Sequence, residues 1–189
     1  MSAADGLPQN AAPHAPSPMK NLQLDHSAHR PAAAPLSLRV IAHDLELAAN
    51  VGALFRIADA LGVERLHLSG ATPHPPDVRL RKAARATDAH VAWEHGVDPL
   101  ATIGALKAAG WRIVSLELTT CSVDVRTLPV APGDRVCLIV GAEGAGVAQA
   151  LLDASDATVH IPMRGHNSSM NLASACAIAL FELSRHLGG

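Results

Sequence analysis

Residues 161–172 read Ile-Pro-Met-Arg-Gly-His-Asn-Ser-Ser-Met-Asn-Leu. An apolar run, Thr158–Ile161, ends there, and Pro162 and Gly165 turn the chain. Ser169 and Asn171 then open a second apolar run, Leu172–Leu183, with helical character. A polar loop feeding a helix N-terminus presents free backbone N–H groups beside small polar side chains. The plainer reading is an ordinary turn with Ser169 as the helix cap. Asn171, one step into the helix, fits that reading less well, since Asn favours caps over interiors.

The chain has 189 residues, enough for one domain with a core. It holds two Trp, two Phe and no Tyr, so Leu, Val, Ile and Ala must build that core. So few aromatics also argue against stacking platforms for single-stranded nucleic acid. The net charge of −2 confines any nucleic-acid contact to a local patch. The three cysteines lack C-x-x-C spacing, and Cys137 and Cys176 sit in apolar runs as small core residues. No metal site is expected. No apolar stretch approaches the ~18 residues of a membrane span. Free thiols and the lack of a secretion signal suggest the cytoplasm.

Residues 1–35 are rich in Ala and Pro, carry no hydrophobic period, and read as a disordered tail. The domain proper is expected over 36–189. Short strands are expected at Leu38–Ala42, Arg65–Leu68, Val91–Trp93, Trp111–Leu116, Val136–Val140 and Thr158–Ile161. Helices are expected at Leu47–Leu61, Asp98–Ala109, Val147–Leu152 and Ser169–His186, with Ser69–Asp77 and Glu117–Gly133 as loops. This alternation predicts an α/β domain with a mostly parallel sheet flanked by helices.

Two more constellations accompany the opening stretch. In Asn50-Val-Gly-Ala-Leu-Phe-Arg56, Gly52 permits close approach near a helix start, and Arg56 offers a planar fork suited to phosphate. A plainer reading has Asn50 capping the helix and Arg56 solvated. In Val140-Gly-Ala-Glu-Gly-Ala-Gly146, glycines follow a strand and let backbone approach a ligand at the sheet's carboxyl edge. Their spacing is neither the dinucleotide fingerprint nor a P-loop, and a simple strand–helix turn would look similar. A basic cluster, Arg79, Arg81, Lys82 and Arg85, is either a solvated face or a patch for RNA.

Taken together and in order, these motifs resemble the SpoU/TrmH branch of the SPOUT RNA methyltransferases, over roughly Leu38–Leu187. Asn50–Val63 matches Asn-x-Gly-x-x-x-Arg with its Ala-rich helix, and Gly141–Gly146 matches Gly-x-Glu-Gly-x-Gly. Ile161–Asn171 matches Ile-Pro-Met-x-Gly-x-x-x-Ser-Leu-Asn, with Met170 in place of Leu. The resemblance implies a C-terminal deep trefoil knot, which topology priors would reject. It also implies a homodimer and S-adenosylmethionine as cofactor. It implies methyl transfer to a ribose 2′-hydroxyl of RNA, transfer RNA first because the chain reads as a bare catalytic domain, ribosomal RNA second.

By the same resemblance, Leu116, Gly141, Ile161, Met163 and Met170 would hold the cofactor. Arg56, Asn50, Glu143, Ser169 and Asn171 would form the catalytic region. Arg56 would also contact RNA, joined by Arg79, Arg81, Lys82 and Arg85. One departure stands out. The family often carries Ser-x-Gly-Ala beside a basic residue, and Lys82–Thr87 has Ala84 and Ala86 where the Ser and Gly would be. The competing readings are an ordinary nucleotide-binding oxidoreductase, against which the missing fingerprint speaks, and a catalytically silent RNA or cofactor binder on the same scaffold.

Overall fold

A computed structural model describes residues 21–23, 30 and 36–187. The tail expected over 1–35 lies almost wholly outside the described residues.

β1 (Leu36–His43), β2 (Val63–Ser69), β3 (Trp93–Val97), β4 (Arg112–Leu116), β5 (Val123–Asp124), β6 (Val136–Val140) and β7 (Ala157–His160) form one sheet. Its order is β3-β2-β1-β6-β4-β7-β5, and every strand pair is parallel. The helices are α1 (Ala48–Leu61), α2 (Val78–Ala84), α3 (Pro99–Ala108), α4 (Gln149–Asp153) and α5 (Leu172–Leu187). Parallel strands need covered faces, and Val-Cys-Leu-Ile-Val of β6 is buried at all five positions. The two-residue period sends Val136, Leu138 and Val140 into one core with Phe55 of α1 and Leu180 of α5. Cys137 and Ile139 enter the other core, with Ile103 and Leu106 of α3 and Leu151 of α4.

The boundaries follow local chemistry. Gly62 adopts φ 68° and returns its N–H to Ala58, ending α1 in the left-handed conformation that glycine tolerates. Asp98 caps α3 through Leu100 N–H at 2.9 Å. Gly52 seats α2 against α1, since a Cβ there would lie 2.5 Å from the Leu80 carbonyl oxygen.

Several expectations need correction. The basic stretch, to which the hydrophobic period assigns no element, forms helix α2, because Asp77 accepts from the N–H groups of Arg79 and Leu80 at 2.8 and 2.9 Å. The third strand lies at Trp93–Val97, two residues later than read, because Val91 closes a short 3-10 turn through a bond to Thr87. The presumed loop after β4 contains β5, which extends the sheet beyond β7. The last helix begins at Leu172, not Ser169, because Asn171 takes the capping role. Among the described residues no helix is long and apolar enough to cross a membrane, and no group of acidic, His and Cys side chains could hold a metal ion.

Candidate active site

Parallel strands deliver their C-terminal ends to one edge, and the loops leaving β4, β6 and β7 meet there around a cavity of about 1030 Å³. Leu116, Gly141, Ile161, Met163 and Met170 all line it. So do Asn50, Glu143, Ser169 and Asn171. Nine of the ten residues singled out as catalytic or cofactor-binding thus converge, though they lie on segments as distant as positions 50 and 171.

Each polar group there has a traceable cause. The Gly-rich loop folds back on itself, with Gly146 N–H donating to the Ala142 carbonyl at 2.9 Å. That turn is possible only because position 141 lacks a Cβ, which would meet the Gly146 carbonyl oxygen at 2.1 Å. The loop projects Glu143 toward the start of α1. Its carboxylate accepts from Glu46 N–H at 2.8 Å, Leu47 N–H at 3.2 Å and the Asn50 amide at 2.7 Å. Helix α1 has no side-chain cap of its own, so an anion from a distant loop occupies the positive end of its dipole. Burial alone would raise the Glu143 pKa, but bonds from Glu46, Asn50, Leu47 and its own N–H leave it below the usual value.

Asn50 is therefore not the cap of α1. It is buried, gives its amide hydrogen to Glu143, and accepts from the Asn171 amide at 3.0 Å. Asn171 Oδ1 accepts from Ser174 N–H at 3.2 Å, which caps α5. Ser169 lies exposed on the loop before the helix. Arg56 stands apart. It is exposed on α1, does not line the cavity, and makes no hydrogen bond or ion pair among the described residues. Arg79, Arg81 and Lys82 lie exposed on α2, with Arg85 as its left-handed C-cap residue, and Arg81 pairs loosely with Asp88 at 3.6 Å.

Sequence reading missed Glu117. It follows β4 and lines the cavity, and its carboxylate accepts from Val147 N–H at 3.0 Å and Leu118 N–H at 2.9 Å. It also lies where a Cβ on Gly146 would be, 2.3 Å from Oε2. An acid directly after a buried strand, at the carboxyl edge of a parallel sheet, was the available signal.

The chain is 33% identical over 140 residues to the tRNA (guanosine(18)-2'-O)-methyltransferase of Escherichia coli K12, covering 72% of this chain and 58% of that protein. It is 30% identical over 134 residues to the 23S rRNA (guanosine(2553)-2'-O)-methyltransferase of Bacillus subtilis, covering 71% and 52%. The chain thus spans between half and three-fifths of the length of these curated relatives. Among solved structures, an AdoMet-bound rRNA methyltransferase from Sinorhizobium meliloti superposes with a TM-score of 0.74 at 30% identity, covering 82% of this chain and 61% of that one. The A. aeolicus TrmH/SpoU tRNA modifying enzyme gives 0.72 at 28%, covering 80% and 76%. A family model matches residues 37–181, from the first strand into the last helix and across all three motifs, and the chain belongs to the SpoU rRNA Methylase family.

Proposed function

We propose that this protein transfers a methyl group from S-adenosylmethionine to a ribose 2′-hydroxyl of structured RNA, transfer RNA ahead of ribosomal RNA. The observation that carries the reading is the convergence of two motif loops and the start of α1 on one cavity with a fixed polar wall, Glu143–Asn50–Asn171. Its volume of about 1030 Å³ lies at the upper end of the roughly 300–1,000 Å³ range of ligand pockets. The bare backbone at Gly141 and the apolar Leu116, Ile161, Met163 and Met170 fit the adenosyl group of that cofactor. When bound, the cofactor supplies a methyl on a sulfonium sulfur, so that an O–CH3 bond forms as the S–CH3 bond breaks and no acid is needed for the leaving group.

The protein's own task is to position and activate the hydroxyl. A guanidinium is always protonated, so Arg56 is not the base. It clamps the RNA phosphate and stabilises negative charge building on the 2′-oxygen, while the phosphate or water takes the proton. Its lack of an internal partner leaves the fork free for that contact. Ser169 and Asn171 orient the ribose, and Asn50 and Glu143 hold the α1 N-terminus in place. Such positioning is worth roughly 7–11 kcal/mol in favourable cases. The exposed cations of α2 supply further phosphate contacts.

The same reading includes a homodimer, a knotted C-terminus and a cytoplasmic setting. Ile178 and Phe181, three apart on α5, are 43% and 56% exposed and offer an apolar stripe for a second copy beside the cavity loops. For the knot, residues 117–135 leave β4, pass beyond β7 to form β5, and return to β6 on the far side of β4. α5 then packs on Val125–Thr127 and on α1, on the face opposite α4. That path supports threading of the last segment through the 117–135 loop.

The test is methyl transfer from labelled S-adenosylmethionine to bulk transfer RNA and ribosomal RNA from cells lacking the protein, with mapping of 2′-O-methyl sites. Label in one RNA pool at a ribose is expected, and Arg56→Ala should abolish it while leaving cofactor binding by calorimetry intact. Cofactor and RNA binding without transfer would instead establish the silent binder, and full turnover by Arg56→Ala would remove that residue from the mechanism.

A further inference from the structure

A cluster of rings lies at the β3 edge of the sheet, with the Trp93 and His95 centroids 5.9 Å apart and their planes tilted by 33°. Buried Phe55 meets Trp93 edge-on, with centroids 6.2 Å apart and planes at 87°. Trp93 lies 6.4 Å from His74 at 25°, and His74 stacks on His95 at 3.9 Å and 12°. Trp93 and His95 alternate on β3, so both project on the α1 and α2 side of the sheet. His74 is locked in place, since its Nδ1–H donates to the Pro75 carbonyl at 2.8 Å. His95 is exposed, and among the described residues no ring beyond His74 and Trp93 lies against it.

We infer that His95, backed by His74 and Trp93, is a stacking platform for a nucleobase of the RNA substrate, on a nucleotide flanking the one modified. The inference rests on the RNA reading above. Three observations select a nucleobase. The His74–His95 pair is near-parallel at stacking distance, Trp93 lies against both rings, and His95 is exposed to solvent. The loop that carries His74 leads within three residues to the Asp77 cap of α2, whose Arg79, Arg81 and Lys82 are exposed for phosphates. Finally, β3 ends at the same carboxyl edge as β6, three strand spacings away, or ~14 Å, so one RNA strand can reach both the platform and the cavity. A count of Phe, Tyr and Trp overlooks such a site because two of its three surface rings are imidazoles.

The experiment measures binding of bulk transfer RNA and bulk ribosomal RNA to the full chain, to His95→Ala and to His95→Phe. Melting temperature and S-adenosylmethionine affinity are measured on the same samples. Base–aromatic stacking predicts that His95→Ala weakens RNA binding about tenfold and that His95→Phe restores it. Melting temperature and cofactor affinity should stay at wild-type values, and the loss should fall on KM for RNA rather than on kcat. Wild-type RNA binding by His95→Ala, or failure of the Phe variant to rescue, overturns the platform. If His95→Ala loses melting temperature and cofactor affinity along with RNA binding, the cluster is structural and the platform is again overturned. If the wild-type protein binds neither RNA, the functional reading itself fails and the platform falls with it.

Discussion

The Asn171 side-chain amide donates to Asn50 Oδ1 at 3.0 Å, tying the start of α5 to the start of α1 across 121 residues of chain. Every atom of the pair has one role. Asn50 passes its own amide hydrogen to Glu143, and Asn171 Oδ1 caps α5 through Ser174. Two substitutions separate these roles. Asn171→Ala removes both cap and tie and should cost about 1 kcal/mol of stability by urea denaturation, along with activity. Asn171→Asp keeps a good capping acceptor but cannot donate to Asn50. It should retain most of the stability and still lose turnover, because the carboxylate then faces the Asn50 oxygen near Glu143.

Glu143 makes the site sensitive to acid in a definite direction. Burial pushes its pKa up, but its four hydrogen-bond donors bring the net value below the ordinary 4.5. A carboxylate whose folded-state pKa is depressed contributes stability above the unfolded value, and loses it as pH falls through the folded value. Denaturation midpoints of the wild-type protein should therefore fall as the pH is lowered below the ordinary 4.5 and through the depressed folded-state value. Glu143→Gln should start lower at pH 7 and fall less over that window. Parallel curves for the two proteins would show that Glu143 carries no such linkage.

Ala86 holds a conformation better suited to glycine. Its φ is 69°, directly after Arg85 at φ 51°, and it stands where the family resemblance would have a Gly. A left-handed L-residue costs roughly 1–2 kcal/mol, partly offset by the chain entropy glycine loses on folding. Ala86→Gly should therefore stabilise the protein by about 0.5–1 kcal/mol, raising the melting temperature by ~1–4 °C. An unchanged or lower melting temperature would mean that the left-handed turn carries no strain.

Much of this was legible in the residues themselves. The buried β6 strand, the Gly62 and Asp98 boundaries and the alternation of strands and helices follow from hydrophobic period and turn chemistry. The site was legible for a different reason, because three motifs stand in order and match a family resemblance, while Gly141–Gly146 alone reads equally well as a simple turn. What escaped was set by tertiary contact. Helix α2 is short and weakly periodic, and needs Gly52 of α1 to seat it. Strand β5 is two residues long and exists only because β7 offers an edge. The start of α5 was misplaced because Ser169 and Asn171 are both good caps, and only the bond to Ser174 decides between them. The His74–His95 stack joins the loop before α2 to strand β3, which no local pattern links.

The Gly-rich loop gives the sharpest test of the cavity. At Gly141 a Cβ would meet the Gly146 carbonyl oxygen at 2.1 Å and the Val147 Cα at 2.5 Å, both backbone atoms that cannot swing aside. At Gly144 a Cβ would meet nothing within 4 Å. Gly141→Ala must therefore open the Ala142–Gly146 bridge, while Gly144→Ala leaves it closed. The clash lies beyond the end of β6, so the sheet should survive with a modest loss of melting temperature. Opening the loop withdraws Glu143 from Asn50 and moves one wall of the cavity. S-adenosylmethionine affinity by calorimetry should then fall more than about tenfold for Gly141→Ala, a loss on the order of 1.4 kcal/mol or more. The Gly144→Ala protein should keep the wild-type melting temperature. Equal cofactor affinity in wild type and Gly141→Ala would mean that this loop is not the wall that holds the methyl donor.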